Sequence, residues 1–581
     1  MRLPLLVLLV FAAAASAQDR PNILVVYADD QRFDEVELMP HLQRLVVDAG
    51  ASLERFYATT PACCPARATL LRGQYAHSHG IKTSRGEFQG GWDEWRRLGL
   101  GASTLATWMD DAGYATGFYG KYINGYPNEE DVLYVPPGWD DWFGGWMRFS
   151  PGAFYDWRAT YNGEPQRFFF GPENYRTDVE GQYVVDFIDR ALGRDEPFFV
   201  VYAPISPHAI GAENNLALPP IPAPRHEGLF SGLVGLRRPS YDEADVSDKI
   251  NFIRRFPRLS PEEIERIDVY RRLRAESMLA VDDVLRDAIE LLEARGELDN
   301  TYIVYSSDNG FHLGEHRLPP ERKGLPYEES VRMPMYIRGP GIEPGVRIDA
   351  LTSNVDLAQT IAEWGGAEVP DFVEGRSFAP LLRPGGADAP FRTAVLNEQW
   401  ITTEGVPEYF QTIITPRYKL TRWSPLNDAI ELYDLVDDPG ELRNIVEDDE
   451  GDLTASLTAV LDALETCTAA DCRIADRLWQ GDDTQTDSAG APARGDLSVS
   501  EPYPNPAREL VSVRLEAGRE SAVTLRLIDA RGREVARSLA LVGLGGRTAE
   551  LPVRDLAAGV YLLDVQADGG DAVTRRVVVQ R

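Results

Sequence analysis

Lysine is almost missing from this chain of 581 residues: Lys82, Lys121, Lys249, Lys323 and Lys419 are the only five, and arginine supplies every other basic side chain. The two cations serve equally well on most solvated faces, so each lysine kept among arginines marks a position worth testing. Cysteine is scarce as well, at four residues, which excludes a scaffold held by a dense disulfide framework. Beyond residue 17 no apolar run approaches the roughly 18 residues of a membrane span, so no transmembrane segment is expected. Positive charge is in deficit, with Lys+Arg 59 against Asp+Glu 91 and a net charge of −32. Such a surface repels phosphate backbones and anionic lipid, and nucleic acid is excluded as a partner.

What is present is ordinary globular material. Hydrophobic residues make up 44% and charged residues 26%, enough for a sizeable core, and the length argues for several domains. Met1 to Ala17 has one early arginine, a short apolar run and small residues ending Ala15-Ser16-Ala17, the pattern of a secretory signal peptide over residues 1–17. The mature chain is expected to be exported, which permits disulfides. Cys467 and Cys472 sit in the short segment CTAADC, and a bridge between them is expected.

Asn22 to Tyr27 (NILVVY), Pro197 to Tyr202 (PFFVVY) and Thr301 to Tyr305 (TYIVY) are continuous apolar runs, as in strands buried on both faces of a parallel sheet. Between them lie amphipathic stretches such as Ile267 to Leu292. This alternation predicts an α/β sandwich with a mainly parallel central sheet over residues 18–370. Residues 371–478, with a final helix near Leu453 to Leu464, are expected to form a smaller α+β subdomain. A polar linker follows over 479–496. Residues 497–581 carry short alternating segments, Val511 to Leu515, Val523 to Ile528, Val560 to Val565 and Ala572 to Val579, which predict a separate Ig-like β-sandwich.

Asp29-Asp30 directly follow the first apolar run, and Asp308-Asn309-Gly310 follow the third. Open α/β sheets place ligands at these carboxyl ends, and three carboxylates with an amide carbonyl make an all-oxygen set suited to Ca²⁺ or Mg²⁺. On spacing alone, capping and turn roles account for them equally well. Cys63-Cys64-Pro65-Ala66-Arg67 is followed by Ala68 to Tyr75 (ATLLRGQY), which reads as the start of a helix, and a cysteine near a helix N-terminus with a basic neighbour reads as an activated thiolate.

Cys63, Pro65 and Arg67 also match Cys-x-Pro-x-Arg, and here the chain resembles the type I sulfatases of the alkaline phosphatase superfamily. The resemblance extends through Pro21 to Asp30, Gly120-Lys121-Tyr122, Ser307 to Gly310, Lys323 to Pro334 (KGLPYEESVRMP), Val355-Asp356-Leu357 and Glu431 to Asn444. The double cysteine, Gly120 to Asn124 (GKYIN) and CTAADC resemble the N-acetylglucosamine-6-sulfatase and glycosaminoglycan sulfatase branch. Ile123 stands where many sulfatases carry a histidine, a departure shared with that branch.

The resemblance implies an alkaline-phosphatase-like fold and a sulfatase acting on sulfated carbohydrate. It implies that Cys63 becomes formylglycine through a formylglycine-generating enzyme, so that an aldehyde hydrate replaces the thiol as nucleophile and carries a covalent sulfate half-ester. Asp29, Asp30, Asp308, Asn309 and converted Cys63 would hold Ca²⁺, with Mg²⁺ an alternative. Arg67 would steady the hydrate, Lys121 and Lys323 would contact sulfate oxygens, and His208 would protonate the leaving group. His79 and His312 are candidate substrate contacts. The loops Gln89 to Leu98, Phe149 to Tyr175 and Ala212 to Phe256 are candidates for sugar recognition. A phosphodiesterase or phosphonate hydrolase on the same core, and an unconverted cell-surface carbohydrate-binding protein, are the competing readings.

The C-terminal module resembles type IX secretion sorting domains through Tyr503 to Ala507, Asp529 to Val535 and Gly559 to Leu563. This implies transit through the periplasm by way of the type IX machinery, then release or attachment at the cell surface.

Overall fold

Asn22–Ala28 is buried along its whole length, as a strand with sheet neighbours on both sides and helices on both faces must be. Its alternate side chains feed two cores. Leu24 and Val26 join Val281 and Leu285 of the Pro261–Arg295 helix, while Ile23 and Val25 face Ala68 and Leu71 of the Cys63–Arg72 helix and Ile361 of the Val355–Gly365 helix. This is the expected α/β sandwich. The computed structural model describes residues 20–580 apart from 85–88, 147–152, 195, 214–215, 321, 401–408, 425–428, 450, 482–496, 501, 503–506, 518–520, 529–532, 543–546, 555 and 568–571. The segment read as a signal peptide, most of the linker, and much of Tyr503–Ala507 and Asp529–Val535 lie outside the described residues.

The main sheet has ten strands in the order Val346–Ile348, Ala51–Leu53, Met335–Arg338, Thr301–Ser307, Asn22–Ala28, Phe198–Ala203, Ala115–Gly120, Asp141–Gly145, Trp157–Tyr161 and Glu164–Phe168. The five from Thr301–Ser307 to Asp141–Gly145 are parallel, and antiparallel pairings begin at Met335–Arg338 on one side and Trp157–Tyr161 on the other. Parallel pairing returns at one edge, where Val346–Ile348 pairs with Ala51–Leu53, so the sheet is parallel in its middle and mixed on its flanks.

Apolar spacing predicted Ile267 to Leu292 as helix, and the helix runs Pro261–Arg295. Its ends are set by residues that carry no apolar signal: Ser260 and Glu263 form a capping box, and Gly296 closes the helix at φ 75°.

The smaller subdomain is a four-stranded antiparallel sheet of Val395–Trp400, Tyr409–Ile414, Tyr418–Ser424 and Ala429–Asp434, covered by the Asp452–Glu465 helix. The Cys467–Cys472 disulfide is formed, with Cα atoms 4.9 Å apart. Beyond the linker, a three-stranded and a four-stranded antiparallel sheet share one apolar core that includes Val513, Leu525, Leu551 and Val565. No helix among the described residues is long and apolar enough to cross a membrane.

Candidate active site

The parallel strands present their carboxyl ends side by side, and the polar residues that follow them meet there. Ala28 pairs in register with Ser307, so Asp29-Asp30 and Asp308-Asn309 leave the sheet as neighbours. Asp30 takes a left-handed backbone, φ 67°. Its carbonyl accepts from Arg274 Nη2 at 2.6 Å, and Glu35 holds that guanidinium through two contacts of 2.7 Å. Gly120 closes its strand at φ +115°, where a Cβ would lie 2.1 Å from the Ala203 carbonyl. Only glycine fits that approach, which lets Lys121 N donate to Ala203 O at 2.8 Å and aims the lysine into the site. His208 lies in the turn after Phe198–Ala203.

Cys63 is the first residue of the Cys63–Arg72 helix, and Arg67 stands one turn below it. Lys323 Nζ approaches Cys63 Sγ at 2.7 Å and pairs with Asp30 Oδ1. Lys121 Nζ lies 2.5 Å from Asp29 Oδ2. Arg67 donates to Asp308 Oδ2 at 2.9 Å and to the Lys121 carbonyl at 2.7 Å, so it ties two strand ends together. Asn309 Nδ2 donates to Asp30 Oδ1 at 2.7 Å. His208 Nδ1 donates to the Ala209 carbonyl at 2.6 Å, leaving Nε2 directed at Asp30 Oδ2, 3.6 Å away. Ligand-type atoms of Asp29, Asp30, Cys63 and His208 lie within 4.8 Å of one another.

Electrostatics sort these groups. Burial disfavours ionisation of Asp29, but Lys121, His208 and Arg67 outweigh it and hold the carboxyl well below the usual range. Asp308 goes the other way: burial and the Asp29 charge push it up to about 7 against the pull of Arg67. Burial lowers His208 despite the two aspartates beside it. Burial also pushes the Cys63 thiol upward, and Lys121 and Lys323 only partly offset this. The expectation of an activated thiolate is thus corrected, because desolvation of a side chain only 2% exposed outweighs the helix terminus. Cys63 and Cys64 are both free thiols, and Cys64 is packed in the core.

The two candidate substrate contacts are both buried side chains. His79 is 2% exposed, contacts Thr69 Oγ1 at 3.2 Å and accepts from Ile81 N at 3.0 Å, which makes it a core histidine. His312 is fully buried among Tyr327 and His316, and burial drives it down to about 3. In the candidate loops, Trp92 and Trp95 are buried in the core, whereas Phe169 and Phe170 are exposed and offer aromatic surface.

The site has a counterpart among known proteins. Residues 21–367 match the family model described as Sulfatase, and residues 314–466 match the one described as N-sulphoglucosamine sulphohydrolase, C-terminal. The chain belongs to the sulfatase family. This sulfatase is a sulfuric ester hydrolase, and formylglycine with a divalent metal is standard in the family. It is 33% identical over 523 residues to an arylsulfatase of Volvox carteri, covering 80% of this chain and 78% of that one. It is 28% identical to the N-acetylglucosamine-6-sulfatase of Homo sapiens, covering 80% and 88%. A structure solved with its substrate D-glucosamine-2-N,6-O-disulfate superposes with TM-score 0.63 at 24% identity, covering 80% of this chain and 100% of that one, which is a likeness of fold. Residues 501–580 match a secretion system C-terminal sorting domain, so the sulfatase carries an export tail.

The donor set of the sulfatase suits a hard divalent cation. Asp29 Oδ1 and Asn309 Oδ1 are buried oxygens without a hydrogen-bond donor among the described residues; Asp29 belongs to the cluster with Asp30, Cys63 and His208, and Asn309 is hydrogen-bonded to Asp30. Oxygen acceptors left over in a dry cluster are what Ca²⁺ or Mg²⁺ requires. Arg274 and Glu35, which fix the Asp30 turn, escaped sequence reasoning. Their signal was a charged residue inside the apolar stripe of the long helix, since Arg274 is 0% exposed.

Proposed function

We propose that this sulfatase removes sulfate esters from carbohydrates, with Cys63 converted by a formylglycine-generating enzyme and Ca²⁺ as the resident ion. Asp29, Asp30, Asp308, Asn309 and converted residue 63 would hold that ion. When bound, the cation supplies charge neutralisation at sulfate and lowers the pKa of a coordinated hydroxyl, and the aldehyde hydrate supplies the oxygen nucleophile. The observation that carries the proposal is the meeting of Cys63, Asp29, Asp30 and His208 atoms within 4.8 Å at the strand ends.

The chain's own residues then divide the work. Lys121 and Lys323 stand against Asp29 and Asp30, so their ammonium groups lie where negative charge accumulates on sulfate oxygens in the transition state. Arg67 steadies residue 63 from one helical turn away while pinning Asp308. The Nδ1 hydrogen bond of His208 fixes its tautomer, leaving Nε2 as the atom that takes up a proton and passes it to the departing alkoxide.

Similarity to N-acetylglucosamine-6-sulfatases puts 6-O-sulfated glucosamine first among candidate substrates. We take 18–370 as the catalytic domain, 371–478 as its α+β subdomain, 479–496 as linker and 497–581 as an Ig-like sorting domain. Export would run through the periplasm to the type IX machinery, ending in secretion or surface attachment. The test is sulfate release from 6-O-, 2-O- and 4-O-sulfated sugars by protein co-produced with a formylglycine-generating enzyme and supplied with Ca²⁺. Release from one class names the regiochemistry, and silence from converted protein across all sugars refutes the carbohydrate assignment.

A further inference from the structure

Three of the five lysines remain outside the site, and two of them, Lys249 and Lys419, have wholly buried side chains. They converge on one residue. Lys419, on the Tyr418–Ser424 strand of the smaller subdomain, lies 2.8 Å from Glu441 Oε1 and donates to Glu328 Oε1 at 3.1 Å. Lys249 donates to the Glu441 carbonyl at 2.7 Å. Glu441 has a left-handed backbone, φ 52°, a conformation that persists only where surrounding contacts impose it. Its other oxygen, Oε2, accepts from Glu328 N at 2.8 Å. Glu328 is therefore gripped at both its backbone and its side chain by residues of the other subdomain.

Glu328 begins the short Glu328–Val331 helical turn, and that turn carries both flanks of the active site. The Ser330 and Glu329 carbonyls accept from Gly310 N at 2.9 Å and Phe311 N at 2.7 Å, immediately after Asn309. Ser330 Oγ accepts from Gly324 N at 3.1 Å, immediately after Lys323. The contact is tight, because a Cβ on Gly310 would lie 2.1 Å from the Glu329 carbonyl. Every step from Lys419 to Asn309 and Lys323 is thus an ion pair, a hydrogen bond or a peptide bond.

We infer that Lys419, with Lys249 and Glu441 fixing its partner, is a positioning residue for the sulfatase reaction: it sets the Glu328–Val331 turn and thereby the placement of Asn309 and Lys323. The inference rests on the roles proposed above for those two residues. The smaller subdomain takes part in catalysis without touching substrate. Misplacing a catalytic group by about 1 Å costs up to a hundredfold in rate, so a loosened turn registers in turnover before it registers in affinity.

The test compares Lys419→Met, Glu328→Gln and the double variant Lys419→Met/Glu441→Gln in formylglycine-converted, Ca²⁺-loaded full-length protein. Turnover of an activated aryl sulfate is measured well below each melting temperature. That substrate depends on the family chemistry and not on the sugar, so an error in the carbohydrate assignment leaves the test intact, and an inactive wild type would overturn both. Lys419→Met is expected to lower kcat about tenfold or more with KM within about twofold, and Glu328→Gln to lower kcat about threefold to tenfold. The double variant removes the uncompensated buried carboxylate and is expected to regain melting temperature without regaining kcat. Glu328→Gln keeps the size of the side chain and decides the matter if Lys419→Met does not fold. Wild-type kcat in either single variant, or recovery of kcat together with stability in the double, overturns the inference.

Discussion

Lys323 Nζ and Cys63 Sγ are 2.7 Å apart, although 260 residues separate them in sequence. The lysine also holds Asp30, so residue 63 is presented to the carboxylate cluster by a cation that belongs to neither strand end. Burial keeps the thiol protonated even so, and unmodified Cys63 is a poor nucleophile at neutral pH.

The proposed function therefore requires chemistry done to residue 63. Cys63→Ala and Cys63→Ser, assayed for sulfate release, are expected to lose at least about four orders of magnitude in kcat with the fold retained, since removing a nucleophile leaves only binding and charge stabilisation. Mass spectrometry of the tryptic peptide from active wild-type protein should show sulfur replaced by an aldehyde. Full turnover from a protein whose Cys63 is still a thiol would refute the assignment.

A bound ion stabilises the fold that binds it. Ca²⁺ added to chelator-treated protein is expected to raise the melting temperature and restore turnover, at lower concentration than Mg²⁺ because the site offers several flexible oxygen ligands. Asp30→Asn should remove most of the thermal shift. The measurement is calorimetry against ion concentration, and a shift unchanged in Asp30→Asn places the ion elsewhere.

The role of His208 is separable by the leaving group. A general acid contributes about 10²- to 10⁴-fold when the departing oxygen is a poor leaving group, and little when it departs readily as a phenolate. His208→Gln is expected to lose that much kcat/KM on a sugar sulfate and less than about tenfold on an activated aryl sulfate. Equal losses on both would assign His208 to binding.

His77 links the helical segment after the motif to the smaller subdomain. Its Nδ1 lies 3.0 Å from both Glu398 oxygens and its Nε2 donates to the Cys467 carbonyl at 2.9 Å. Burial lowers its pKa, but Glu398 outweighs this and raises it to about 9. A raised folded-state value stabilises the protein fully below the unfolded value near 6.5, and that stability is lost as pH rises through 9. The contribution at pH 7 is about 2–3 kcal/mol. Denaturant melts at pH 7 and pH 10 should show wild type losing about this much more stability than His77→Gln, and an equal loss in both would exclude His77 as the source.

Much of this was legible because the signals were local. NILVVY, PFFVVY and TYIVY read as strands buried on both faces, and Asp29-Asp30 and Asp308-Asn309 after the first and third mark the site. The four alternating segments of the C-terminal module lie within four of its strands. The rest depended on three-dimensional context. His79 and His312 each lie beside a motif, yet neighbourhood in sequence does not disclose a core position. A helix terminus beside an arginine suggests an activated cysteine until burial is weighed. Lys419 stands in a strand of mixed polarity, and nothing local tells that its ammonium reaches Glu328 and Glu441, which come from other parts of the chain.

The 2% exposure of Cys63 also orders events in the life of the protein. A modifying enzyme that had to enclose this cysteine would be hindered once Lys323 and Asp30 stand against its sulfur. Under the proposed conversion, the modification would precede or accompany folding, in the interval when residues near 63 exist but those near 323 have not yet taken their place. Slower arrival of the later strands would widen that interval, so the yield of competent enzyme is a matter of timing as much as of affinity.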